Sequence, residues 1–108
     1  MKSPAAVDAL SALAHEHRLA IYRLLVQAGP EGRAAGAIAD KLDMPPSSLS
    51  FHLAHLTRAG LIQQRRESRS LIYSADFDVM NGLVGFLTEN CCGGANCAPA
   101  AASKRKAS

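Results

Sequence analysis

Three cysteines lie close together near the end of the 108-residue chain, at Cys91, Cys92 and Cys97. Thiolates bind soft ions and also take part in thiol redox chemistry. Asn90 is predicted to end a helix, and the glycines after Cys92 let the backbone fold back toward the paired thiols. Three thiolates with no fourth ligand nearby fit trivalent arsenic or antimony, whose lone pair favours a three-coordinate pyramid, whereas structural zinc prefers four ligands.

Other uses of these thiols stay open. They could hold another soft metal, act as a redox switch, or be incidental, and the adjacent pair alone suffices for a methylated trivalent arsenical. An odd number of clustered cysteines does not indicate a disulfide framework. An enzyme, such as a thiol reductase, is disfavoured because catalysis needs a base and a shaped pocket around the nucleophile. A metal-buffering protein would not explain the helix described next.

The segment Pro45 to Leu61 predicts a short amphipathic helix. Its leucines recur at i, i+4 and i+7 on one stripe, and Pro46 suits the first helical turn while Gly60 suits a left-handed position after the last turn. Small hydroxyl residues at the start and little acid along the helix favour entry into a DNA major groove N-terminus first. The side chains predicted to point away from the core are Ser47, Ser48, Phe51, His55 and Arg58.

The neighbouring segments complete a helix-turn-helix with a wing. A helix over Ala34 to Leu42, followed by a tight turn, would brace the recognition helix across the DNA backbone. Two runs typical of strands, 61–65 and 70–74, predict a hairpin. Its basic tip carries Arg65, Arg66 and Arg69, which would reach phosphates or the adjacent minor groove and contribute affinity more than sequence choice.

Two further helices are predicted upstream, over Ala5 to Ala14 and from Leu19 to Ala28, with Gly29-Pro30-Glu31-Gly32 ending the second. His15 and His17 lie between them on either side of Glu16. Because residues at i and i+2 do not face each other on a helix, we expect these histidines to be solvated at a helix start and not to bind a metal.

The last helix, Asp76 to Asn90, is more apolar than one small core can use. Its stripe contains Phe77, Met80, Val84 and Leu87. Gly82 and Gly85 weaken a helix unless another element approaches closely. We therefore expect this helix and the first one to form a homodimer face, with packing inside one monomer as the alternative.

Composition fits a small helical protein that needs a partner subunit. The chain is 48% hydrophobic and 5% aromatic, without tryptophan, and its formal net charge of +3 permits nucleic acid without demanding it. No run approaches the roughly 18 apolar residues of a membrane span, and the first residues lack the apolar core of a signal peptide. We expect a cytoplasmic protein with a disordered tail over 98–108.

The order of these elements resembles the ArsR/SmtB family of small winged-helix repressors over about residues 5 to 92. Three segments carry the resemblance: Leu13-Ala14-His15-Glu16-His17-Arg18-Leu19, Ser47-Ser48-Leu49-Ser50-Phe51-His52-Leu53, and Ala59-Gly60-Leu61-Ile62 leading into the arginines of the wing. The resemblance implies a mainly α winged helix-turn-helix fold with a β-hairpin wing. It also implies a homodimer built from the first and last helices, operator binding without ligand, and release when a metal or metalloid binds.

The resemblance also assigns site residues. The family's base-reading positions fall on Ser47, Ser50 and Phe51, with Ser48 and His52 nearby, and Phe51 stands where many relatives carry histidine. A possible apolar contact to a thymine methyl then replaces a hydrogen bond. Two of the family's inducer sites are missing, because Ala34, Gly36 and Ala39 replace the cysteines of the third helix and no histidine follows His55. Some relatives carry a similar C-terminal cysteine triad and respond to arsenite.

These expectations divide the chain into three parts. Residues 1–92 form the DNA-binding and dimerisation domain, 91–97 form an inducer loop that holds As(III) or Sb(III), and 98–108 form the tail. The expected partners are double-stranded operator DNA and a second copy of the chain.

Overall fold

The computed structural model describes residues 1–94, which form five helices and a small antiparallel sheet. The elements in chain order are α1 (Ser3–Leu13), α2 (Glu16–Ala28), β1 (Arg33–Ala34), α3 (Ala35–Leu42), α4 (Pro46–Arg58), β2 (Ile62–Glu67), β3 (Ser70–Ala75), α5 (Phe77–Thr88) and a 3₁₀ turn (Cys91–Gly94). The mainly helical fold with a β-hairpin is therefore confirmed. The predicted tail over 98–108 and Cys97 lie outside the described residues.

Local signals fix where the helices begin and end. The Asp76 side chain accepts hydrogen bonds from the backbone N–H groups of Asp78 (3.1 Å) and Val79 (3.2 Å), which satisfies two unpaired donors at the start of α5. Gly60, at φ 81°, closes α4 in the left-handed conformation as predicted, and the N–H of Leu61 donates to the carbonyl of Leu56 (3.1 Å). The C-terminus of α4 is thus capped by backbone alone.

One apolar core joins α1, α2, α3 and α4 to the sheet. Burying each large aliphatic side chain stabilises the fold by about 1.5–3 kcal/mol relative to leaving it exposed. The seven largest side chains that are essentially inaccessible are Ile21, Leu25, Ile38, Leu49, Leu53, Leu56 and Leu61. Three of these side chains form the predicted leucine stripe of α4. The helix predicted to carry the DNA-contacting residues on one face therefore contributes its other face to the core.

The sheet has three strands in the order β1-β3-β2, one more than the predicted hairpin. β1 pairs antiparallel with β3, with Arg33 opposite Tyr73, and a β-carbon on Gly32 (φ 71°) would overlap the backbone carbonyl of Tyr73. Only glycine fits this close approach. In the hairpin, Glu67 pairs with Ser70, so the turn is Ser68 and Arg69, shorter than the predicted loop of 66–69.

The apolar surface of α5 is divided between the core and solvent. Leu83 is buried, whereas Val84 is 54% and Leu87 59% exposed. On α1, which contacts α5, Val7 is 57% exposed. The predicted stripe of α5 is therefore only partly used within one chain. Nowhere in residues 1–94 is there a helix with both the length and the apolar character needed to cross a membrane.

Candidate nucleic-acid interface and thiol site

The exposed face of α4 is formed by the residues predicted to read DNA. Ser47, Ser48 and Ser50 are exposed, and the Phe51 ring is 64% exposed although it is a large hydrophobic side chain. Pro46 occupies the first turn of α4, and Pro45, at φ −60° and ψ 141°, supplies the extended residue before it without a side-chain cap. The N–H groups of the first turn therefore point out beside the serines, where an anion is favourably placed.

α3 and its turn fix the orientation of α4. Asp43 adopts the left-handed conformation (φ 52°), and the N–H of Met44 donates back to the carbonyl of Ala39 (3.0 Å). Met44 is buried against the core. This helix, tight turn and second helix confirm the predicted helix-turn-helix arrangement, and the buried methionine couples the turn to the position of α4.

His52 does not lie on the exposed face with the other predicted DNA-contacting residues. Its side chain is only 8% exposed and lies on the core side of α4. Burial, followed by the positive charges of His15 and Arg18, lowers the pKa of His52. We therefore correct its predicted role from contact near the bases to packing beneath the recognition surface.

All three predicted arginines of the wing are exposed to solvent. Arg66 and Arg69 are exposed at the end of the hairpin. Arg65 differs, because its Nε donates to Glu67 Oε2 (2.8 Å) and its Nη2 donates to the backbone carbonyl of Glu31 (2.8 Å). The Arg65 guanidinium thus ties the wing to the turn after α2, and its predicted contact with phosphate stays a prediction.

Two of the three predicted thiol ligands lie in the 3₁₀ turn directly after α5. The Cys91 and Cys92 sulfurs are 3.6 Å apart. Cys91 is partly exposed and carries a free thiol, whereas Cys92 is disulfide-bonded. Asn90, at φ 56°, turns the chain after α5, although the helix itself ends at Thr88 and not at Asn90 as predicted. Cys97, the third expected ligand, lies outside the described residues.

A cluster that the sequence interpretation rejected joins α2 to α4. Ligand atoms of His15, His17 and His52 all lie within 4.8 Å of one another. His15 is not in a helix: it is the N-cap of α2 in an extended conformation (φ −155°), and its Nδ1 accepts from the N–H of His17 (3.1 Å). The rule that i and i+2 residues diverge on a helix therefore does not apply. Two histidines spanning a helix start were the signal that could have found the cluster.

A helix-turn-helix with an exposed, serine-tipped second helix and a basic hairpin defines the class of winged helix-turn-helix DNA-binding domains. A family model described as a helix-turn-helix domain matches residues 13–65. The nodulation protein NolR of Rhizobium meliloti is 36% identical over 80 residues, which cover 74% of this chain and 63% of NolR. The chain thus spans somewhat less than two thirds of that relative.

Two relatives that match over a larger share of their own length are also similar to this chain. The transcriptional activator HlyU of Vibrio cholerae is 32% identical over 85 residues, 79% of this chain and 76% of HlyU. Its structure has a TM-score of 0.63 over 78% of this chain and 91% of that chain. The homodimeric winged helix-turn-helix domain of Mb0332 from Mycobacterium bovis is 28% identical, with a TM-score of 0.63 over 88% of each chain. The chain belongs to the ArsR-like family of winged helix-turn-helix transcriptional regulators.

Proposed function

We propose that the protein is a dimeric transcriptional repressor that binds operator DNA and is released when trivalent arsenic or antimony binds Cys91, Cys92 and Cys97. The observation that carries the proposal is the position of the Cys91 and Cys92 sulfurs, 3.6 Å apart at the end of the helix that offers the apolar face. An effector bound there acts on the element that would join two subunits.

DNA binding is supported by the surface of α4 and the wing. The exposed Ser47 and Ser50 can donate or accept hydrogen bonds at base edges, and Phe51 can contact a thymine methyl group. Arg66 and Arg69, exposed on the wing, are free to contact phosphates. Specificity is therefore assigned to α4, and salt-dependent affinity to the wing.

Dimerisation is supported by the unburied apolar side chains of α1 and α5. Val7, Val84 and Leu87 are each more than half exposed, and they lie on two helices, α1 and α5, that contact each other. The similar domain of Mb0332 is described as homodimeric. A two-fold dimer would place two copies of α4 toward successive major grooves, which are about 34 Å apart.

The chemistry of the thiols supports a soft three-coordinate ion. Two sulfurs about 3.6 Å apart can both lie about 2.3 Å from one shared ion. The Cys91 and Cys92 sulfurs already have this separation. Cys97, five residues beyond Cys92, would complete a pyramidal set of three sulfurs once all are reduced. Ligation at this place would pull the end of α5 toward the following loop and change the dimer face.

A thiol redox switch is the second candidate. It is favoured because Cys92 is disulfide-bonded, and because one structure of the relative HlyU, with a TM-score of 0.64 and 31% identity, is described as that of the reduced protein. In this version an oxidant, not a metalloid, would change the end of α5. It predicts release by peroxide and no response to arsenite.

The deciding experiment titrates a protein–DNA complex with candidate effectors. The DNA is a duplex selected from a random library by the reduced protein, and the titrants are arsenite, antimonite, zinc, cadmium and peroxide. We expect arsenite and antimonite to release the wild type, and Cys91→Ser, Cys92→Ser and Cys97→Ser each to abolish release. Glu31→Gln, which changes an exposed side chain in the turn after α2 and keeps all three thiols and all three clustered histidines, is the matched control and should respond normally.

Each of the other results of this titration would change the proposal in a specific way. Release by peroxide alone would replace the metalloid with an oxidant, and release by zinc or cadmium alone would replace it with another metal. No release by any titrant would remove the sensing function. Because HlyU is described as an activator, transcription in vitro with the same DNA tests whether binding represses or activates. Activation would contradict the assignment as a repressor.

A further inference from the structure

Three imidazoles from two separate elements meet beside the recognition helix. His15 and His17 lie at the start of α2, and His52 lies on α4. The ring centroid of His52 is 4.8 Å from that of His15 and 5.6 Å from that of His17. His15 and His17 are exposed, whereas His52 is buried. The cluster therefore has one fixed ring and two rings that reach solvent.

The buried ring is the second, independent indication of a ligand. His52 is 8% exposed, and its buried Nδ1 has no hydrogen-bond partner among residues 1–94. Buried polar atoms in folded proteins nearly always have a partner, and a bound ion is one recognised explanation of an exception. An imidazole ring that packs in the core yet reaches two solvent-exposed imidazoles is suited to anchoring an ion at the surface.

We propose that His15, His17 and His52 bind one divalent, imidazole-preferring transition ion such as Zn²⁺, with a solvent molecule completing the coordination. Imidazole nitrogen suits zinc, copper, nickel and cobalt, whereas magnesium and calcium prefer oxygen ligands. Three protein nitrogens with one position open to water is a common coordination of zinc. The site is distinct from the thiols, since its ligands come from α4 and the start of α2.

Small side-chain movements would close the site. Nitrogens that are each about 2.0–2.1 Å from a tetrahedral ion are about 3.4 Å apart, compared with separations of up to 4.8 Å here. The exposed rings of His15 and His17 can rotate to supply this contraction. His52, which is buried on the same helix as Leu49 and Leu53, would stay in place.

Ion binding would compete with the cap of α2. A neutral imidazole has one nitrogen lone pair, and in His15 it accepts from the N–H of His17 (3.1 Å). If the ion binds Nδ1 of His15, it uses that lone pair. If the ion binds Nε2, the proton of the neutral ring lies on Nδ1. In either case Nδ1 can no longer accept the cap hydrogen bond. The start of α2 would then be tied through the ion to α4 at the residue that follows the exposed Phe51.

The test uses the untagged full-length chain with its three cysteines changed to serine, so that thiols do not contribute. Co²⁺ and Zn²⁺ are titrated in competition with a chromophoric chelator. We expect one ion per chain, visible absorption bands of four-coordinate Co²⁺, and affinity lowered about tenfold or more by His17→Gln. His55→Gln is the matched control, because His55 lies one turn after His52 but outside the cluster.

Thermal unfolding with Zn²⁺ gives a second, independent measurement of ion binding. Zn²⁺ should raise the Tm of the cysteine-free protein more than that of its His17→Gln derivative at the same ion concentration, because stabilisation by an ion that binds the folded state falls as its affinity falls. His17 is exposed, so this variant should fold. If the serine variant does not fold, wild-type protein with alkylated thiols replaces it. Equal affinities of the His17→Gln and His55→Gln proteins, or no ion bound, would overturn the proposal.

Discussion

The rings of His15 and His52 lie 4.8 Å apart between their centroids, so the cap of α2 and the buried side of α4 meet at two imidazoles. Elsewhere the buried side of α4 contacts the core through leucines. The buried side of α4 therefore combines apolar packing with one contact between imidazole rings. The two proposed ligand sites, this cluster and the thiols, would therefore act on α4 and on the end of α5 respectively.

The close approach of Gly32 to β3 gives a sharp stability prediction. Gly32→Ala should lower the free energy of unfolding by more than about 2 kcal/mol, because the new methyl group would overlap the Tyr73 carbonyl at a positive φ. Gly36→Ala is the matched control in α3, where a β-carbon meets nothing within 4 Å, and should be neutral or stabilise by about 0.5 kcal/mol. Urea unfolding measures both, and equal effects would contradict the close packing of β1.

The wing arginines should differ in their effect on DNA binding. Arg66→Ala and Arg69→Ala should each weaken binding to all sequences and reduce the slope of log K against log salt by about 1. Arg65→Ala should leave the slope nearly unchanged, because this guanidinium is held by Glu67 and the carbonyl of Glu31. Fluorescence anisotropy at several salt concentrations measures the slopes. The same loss of slope in all three variants would show that Arg65 leaves its partners to contact DNA.

Phe51 should affect recognition without affecting the fold. Its ring is 64% exposed, so Phe51→Ala should change the free energy of unfolding by less than about 0.5 kcal/mol. Binding to the selected duplex should weaken by about 1–3 kcal/mol, while binding to random DNA stays the same. Leu53→Ala, two residues along the same helix, should instead destabilise the protein by about 2–5 kcal/mol. Unchanged specific binding by the Phe51 variant would remove Phe51 from the base-reading surface.

The exposed apolar face should control the oligomeric state. Leu87→Glu should convert the dimer to a folded monomer, because Leu87 is 59% exposed in the single chain and a charge there opposes burial in an interface. Leu71→Glu is the matched control, since Leu71 is an exposed leucine on β3. Analytical ultracentrifugation separates the two states. A Leu87→Glu protein that stays dimeric, or a wild type that is monomeric, would place the interface elsewhere or remove it.

Local patterns in the sequence were sufficient for the helices and the recognition face. The leucine spacing in α4 predicted which side is buried, because a helix places i, i+4 and i+7 together whatever surrounds it. The glycine after α4 likewise ended the helix as predicted, since its left-handed conformation is a local requirement. These predictions depended on residues within one or two helical turns.

Contacts between distant segments could not be predicted in this way. β1 has only two residues and exists through its pairing with β3, about forty residues later. The carbonyls that hold Arg65 belong to the turn after α2, which no local pattern places near the wing. The histidine cluster was missed because the spacing rule for a helix was applied to His15 and His17, whereas His15 is an extended N-cap residue and lies near both His17 and His52.

The central claim is that occupation of the thiols and binding of DNA are linked. Arsenite affinity of the reduced wild-type protein, measured without DNA and with saturating selected duplex, tests this link most directly. Because coupling between two ligands is reciprocal, we predict that DNA weakens arsenite binding about 5- to 150-fold. The same arsenite affinity in the presence and absence of the duplex would contradict the account.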